Sequence, residues 1–210
     1  MKPVSLSNLG SSFQSQFEHL GNLADVNEAI KAQQQAIHLT PDGHPDRPIY
    51  LNNLGYSCRS RFGRLGNLPD INEAINTQQQ AIHLTPNGHP EKPVRLNNLG
   101  LSFESRFGHL GNLSDVNEAI MAQQQTIHIT PNGHPNKPLY LNNLGTSFRS
   151  RFKRLGNLVD IDEAIVVQQK AVDLTPDGHP NKPQFLASLR HSLQDRSGHL
   201  RNPFQDSDVG

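Results

Sequence analysis

The chain is 210 residues long, with 34% hydrophobic and 6% aromatic residues, no tryptophan, and 19 basic against 19 acidic side chains, a formal net charge of zero. So lean a composition does not fill one large core, and without a net basic field nonspecific binding to a nucleic-acid backbone is not expected. No run of about 18 apolar residues could cross a membrane, and the first residues lead into patterned sequence with no apolar signal core. Cys58 is the only cysteine, so no intrachain disulfide can form and a reducing, cytoplasmic setting is expected.

The organising feature is repetition. Leu-Gly falls at Leu9-Gly10, Leu54-Gly55, Leu99-Gly100 and Leu144-Gly145, and Thr-Pro at Thr40-Pro41, Thr85-Pro86, Thr130-Pro131 and Thr175-Pro176, each 45 residues after the last. A fixed period in this range denotes stacked supersecondary units whose neighbours bury one another. The copies span about 3–47, 48–92, 93–137 and 138–182, with a degenerate fifth start at 183–201. Together they predict one solenoid over 1–201.

In the second copy, Pro48 suits the first turn of a helix, and Leu51, Leu54, Cys58 and Phe62 recur at spacings of three and four. Helix A is predicted at 49–64, ended by Gly66 in a left-handed cap. Helix B can be capped by Asn67, or by Asp70 with Glu73 three residues on; both starts fit. Ile71, Ala74, Ile75, Ala81 and Ile82 carry its stripe, and Pro86 predicts an end near Leu84. Asn87-Gly88-His89-Pro90 is turn chemistry. The fifth start keeps Leu186, Leu189 and Leu193 but has Arg190 for Gly, as expected of a capping helix with a more polar outer face. The tail at 202–210 is polar and predicted to be disordered.

These residues resemble the tetratricopeptide repeat (TPR), whose frame of roughly 34 residues carries Leu-Gly in helix A, two small residues in helix B, then Pro. Ala74, Ala81 and Pro86 keep the family's steps, as do Ala29, Ala36 and Pro41, and Ala164, Ala171 and Pro176; in the third copy Thr126 replaces the second alanine. The longer unit gains seven residues across the hairpin and four in the connector. Gln78 stands where the family has an aromatic side chain, which predicts altered packing. Such long units look like kinesin light chain repeats, and like a fungal class often found upstream of a caspase-like CHAT domain. The resemblance implies an all-α, right-handed α-α superhelix of antiparallel helix pairs, four full repeats plus a capping helix. It also implies a noncatalytic scaffold binding an extended segment of a partner protein; a regulatory arm of a larger effector, such as a caspase-like protease, is the alternative.

Asn8, Asn53, Asn98 and Asn143 each precede the Leu-Gly pair, and Asn52, Asn97 and Asn142 stand before the last three. In the resembled family this position lines the concave groove, where an amide can both donate to and accept from a peptide unit. The same amides could instead bond neighbouring helices and hold the stack in register. One turn further on, Tyr56, Arg59 and Arg149 are candidates for groove specificity, because the positions around them vary between copies (Ser11, Tyr56, Leu101 and Thr146; Gln14, Arg59, Glu104 and Arg149).

The recurring histidines, His44, His89, His134 and His179 in turns and His38, His83 and His128 near helix ends, cannot converge on one ion, since successive copies are separated by a helix pair. They read as turn and helix-end residues, and neither metal nor cofactor is expected. Arg61, Arg64, Arg151, Lys153 and Arg154 precede acidic residues that begin the next helix, a structural arrangement complementing the helix dipoles. Ser, His and Asp recur only as framework, so no one-off catalytic constellation is present. Cys58 replaces Phe13, Phe103 and Phe148 and reads as a small core residue.

Overall fold

The computed structural model describes residues 2–201; the tail expected to be disordered lies outside them. Among the described residues there are nine α-helices and no strand. The A helices are α1 (Pro3–Leu20), α3 (Arg47–Leu65), α5 (Lys92–Leu110), α7 (Lys137–Leu155) and α9 (Lys182–Arg201). The B helices are α2 (Leu23–His38), α4 (Leu68–His83), α6 (Leu113–Ile129) and α8 (Leu158–Asp173). The chain divides into two compact units, Met1–Leu110 and Gly111–Gly210. Each is a stack of consecutively packed helices: α1 to α5 in the first, α6 to α9 in the second.

The second copy shows why the helices fall there. Leu51, Leu54, Cys58 and Phe62 of α3 are buried, and so are Ile71, Ala74, Ile75 and Ala81 of α4. At the hairpin Gly66 takes φ 65°, and its N–H donates to the Phe62 carbonyl at 2.7 Å, a left-handed cap closed without a side-chain penalty. At Gly55 no side chain could fit: a Cβ would lie 2.7 Å from Gln78 Cγ and 3.0 Å from the Ala74 carbonyl oxygen.

Of the two candidate caps, the asparagine holds the position. Asn67 is the N-cap residue of α4, and its counterparts Asn22, Asn112 and Asn157 accept the backbone N–H two residues on at 3.0–3.1 Å. The Asp70–Glu73 capping box does not form. Asp70 turns inward, 3% exposed, and accepts from Arg61 Nε at 2.9 Å and Nη2 at 2.5 Å. A carboxylate that leaves water needs such a partner. Arg61 Nη1 also donates to Asn27 of the preceding B helix, and Arg151 repeats the arrangement with Asp160 and Asn117. The basic residues at the ends of the A helices thus stitch helices together.

The connector is equally built. Thr40, Thr85, Thr130 and Thr175 are buried, and each hydroxyl donates back to the carbonyl four residues earlier. Nδ1 of His44, His89, His134 and His179 accepts the backbone N–H two residues on at 3.1–3.2 Å. Lys92, Lys137 and Lys182 then reach back to the threonine carbonyl, with Arg47 in the same role, placing a cation at the C-terminus of each B helix.

Within the first unit α1 packs against α3 and α3 against α5, whereas α2 and α4 stay further apart and meet through the Gln34 Nε2 to Glu73 Oε1 bond at 3.4 Å. In the second, α7 touches α9 while α6 and α8 stay apart. Successive A helices are therefore the more closely packed side of each unit. Helix α9 buries Phe185, Leu189 and Ser192, but its outer face is mixed and not simply polar. Leu186 and Leu193, whose counterparts Leu51 and Cys58 are buried, are 47% and 45% exposed because no B helix follows among the described residues.

Candidate functional site

The A-helix side of the first unit carries the candidate residues. Several side-chain bonds between successive A helices join residues 46 apart, one more than the repeat. Asn98 Nδ2 donates to Asn52 Oδ1 at 3.1 Å, Asn53 Nδ2 lies 3.5 Å from Ser7 Oγ, and Gln14 Nε2 donates to Ser60 Oγ at 3.1 Å. Asn52 and Asn98 are thus committed to each other and set the register of α3 against α5. Asn97 is buried, and Asn8 on α1 is exposed.

Asn53 and Tyr56 are brought together at a cleft of about 220 Å3 between α1 and α3, whose walls include Gln14, Glu18, Gln33 and Ser57. Tyr56 donates its phenol to Glu18 Oε1 at 2.7 Å, and Gln14 Nε2 donates to that same oxygen at 3.0 Å. Burial raises the Tyr56 pKa, helped by the Glu18 hydrogen bond, so the phenol stays a donor. The Arg59 guanidinium stacks over the Tyr56 ring, 5.1 Å from its centroid, and burial pulls its pKa down.

In the second unit Asn142 is buried, with its Oδ1 lacking a hydrogen-bond partner, and Asn143 is half-buried. Arg149 is held by Asp195 of α9, Nε to Oδ2 at 2.5 Å.

Sequence reasoning marked the Gln78 position as altered packing but did not place its counterpart Gln33 at the floor of the cleft. Gln33 is one of four glutamines, with Gln78, Gln123 and Gln168, that begin the Gln-rich stretch of each B helix and are at most 1% exposed. Gln33 Nε2 donates to the Ser7 carbonyl at 3.1 Å, and Gln168 Oε1 accepts from Ser192 Oγ at 2.7 Å. Their signal was recurrence at one period in a place where an apolar residue would be expected. Elsewhere the side chains are framework: Cys58 is fully buried, and among the described residues no group of three metal-ligating side chains converges. No described helix is long and apolar enough to cross a membrane.

Antiparallel helix pairs with Leu-Gly in helix A, small residues in helix B and a Thr-Pro stop define a TPR-like repeat fold. Solved structures agree. A kinesin-light-chain-like protein of Podosopora anserina, built of nearly identical TPR-like repeats, superposes with a TM-score of 0.68 at 14% identity, over 98% of this chain and 99% of its own. A single-substitution variant of that protein gives 0.70 at 15% identity, over 95% and 90%. BtubC (BKLC) of P. vanneervenii gives 0.58 at 13% identity, over 100% and 93%. No known family's sequence profile and no curated protein matches the chain. At these identities the likeness concerns the fold, and it bears out the expected long-unit, kinesin-light-chain-like repeat.

Proposed function

We propose that this chain is a noncatalytic protein-interaction scaffold that binds an extended segment of a partner along its A-helix face. The observation that carries this reading is the cleft between α1 and α3, where Asn53, Tyr56 and Glu18 meet on the close side of the stack. Repeat arrays present such surfaces because each unit adds the same face in line. Asn8, Asn53 and Asn143 are the amides assigned to the partner's backbone, Tyr56, Arg59 and Arg149 contribute to its selection, and Asn52, Asn97, Asn98 and Asn142 support the ladder. Fold likeness to TPR-like proteins supports an interaction role of this kind.

The test is partner capture by a triple variant, Asn8→Ala, Asn53→Ala and Asn143→Ala, shown by circular dichroism and thermal melting to remain folded. Loss of capture is expected. Undiminished recovery of the same partner by the folded variant would rule the face out.

A further inference from the structure

The cleft between α1 and α3 has an uneven hydrogen-bond balance. Gln33 is 1% exposed and Gln14 7%, yet the Oε1 atom of each is buried with no hydrogen-bond partner. Neither amide can be turned over to cure this. Gln33 Nε2 donates to the Ser7 carbonyl and Gln14 Nε2 to the Glu18 carboxylate, and both of those groups only accept. Glu18 adds a third open acceptor, because Tyr56 and Gln14 both donate to its Oε1 and leave Oε2 without a protein donor. A buried acceptor left unmade is costly, and here, unlike at Gln78 and Gln123, two orphaned carbonyls belong to residues lining a cleft beside a carboxylate, a place for donors from outside.

The cavity, about 220 Å3, is smaller than the roughly 300 Å3 at which drug-sized ligand sites begin, but it admits the head of one side chain. No cationic side chain is among those lining it, and Arg59 lies instead on the face of the Tyr56 ring.

We propose that this cleft takes the cationic nitrogen head group of a Lys or Arg side chain from the bound segment, its several N–H donors meeting Gln14 Oε1, Gln33 Oε1 and Glu18 Oε2. The proposal rests on the A-helix face being the partner-binding surface, and it adds the class of side chain selected there.

The experiment titrates the 15N-labelled full chain with N-acetyl-lysine methylamide, with butylammonium and with N-acetyl-norleucine methylamide, and follows the side-chain amide resonances of Gln14 and Gln33. Saturable shifts are expected with both cations and not with the norleucine control. Glu18→Gln, at an exposed position, should weaken binding about tenfold or more, the effect of losing a charged hydrogen-bond partner. Gln14→Met, which keeps volume and removes an orphaned carbonyl, should weaken it as well. The proposal is overturned by no saturable shift (the acceptors being served by water alone), by equal shifts with norleucine, or by unchanged affinity in both variants. Binding of butylammonium without the lysine derivative would overturn the assignment to a peptide side chain. These outcomes are independent of partner capture, so a failed cleft leaves the wider face standing, and a failed face leaves the titration readable.

Discussion

Arg95 occupies a position held by Tyr50, Tyr140 and Phe185 in other copies. It is 4% exposed, burial lowers its pKa, and Nη1 donates to the Thr85 hydroxyl. A buried guanidinium served by one hydroxyl gains less than an aromatic ring in the same space. Arg95→Tyr is therefore expected to raise stability by about 1 kcal/mol, measurable as a higher midpoint in urea. Cys58 makes the opposite case, a titratable group kept neutral. Burial pushes its thiol up to about 12, with Glu73 and Asp70 adding to the shift and Arg61 opposing it. The unfolded chain ionises first, so this contribution is intact below about pH 9 and is lost as pH climbs toward 12, by at most about 1.4 kcal/mol per pH unit. Urea midpoints at pH 8 and pH 10 should fall further for the native chain than for Cys58→Val. A fall no larger than the variant's would show that the thiol is not desolvated in solution.

Two glycines of the same helix should respond in opposite directions. Gly55→Ala drives a Cβ against Gln78, Thr77 and the Ala74 carbonyl, and is expected to cost about 1–3 kcal/mol. Gly63→Ala meets nothing within 4 Å and is expected to gain about 0.5–1 kcal/mol from helix propensity. Thermal melts of the two variants check the pair together. The helices themselves were legible because three signals coincide: apolar residues at spacings of three and four, Gly66 at a left-handed cap, and Pro86 beyond the last turn. Helix α3 begins two residues before the predicted 49, because Arg47 belongs to the first turn while its side chain clamps the preceding helix. The choice between Asn67 and Asp70 was not legible, since both are good caps. It was decided by Arg61, nine residues before Asp70 in sequence and on the facing helix. The buried glutamines were half legible: Gln78 stands where the resembled family packs an aromatic ring, but the glycine opposite that makes room for it lies on another helix. The cleft was hidden by register. Its partners lie 46 residues apart (Gln14–Ser60, Ser7–Asn53) or 38 apart (Glu18–Tyr56), so comparing copies 45 apart aligns residues that do not face each other.

At the scale of the molecule, equal numbers of acidic and basic residues leave no long-range field to choose a partner. On the proposed scaffold role, selection therefore falls to local groups on the binding face. Successive A helices pack closely while α2 and α4 meet only through side chains, so the proposed binding mode uses the A side of each unit, where neighbouring copies present side chains together. The Asn52–Asn98 bond and the Arg149–Asp195 pair hold that side in register. The varied residues beside them, Ser11 and Tyr56 in the first unit and Thr146 in the second, distinguish one copy from another. The most direct measurement is site-specific photo-crosslinking of a captured partner, with the crosslinker placed at exposed Ser11 on α1 or at exposed Gln79 on α4. The expected result is a partner adduct from Ser11 and none from Gln79. Adducts from Gln79 alone would place the partner on the B helices and contradict the account.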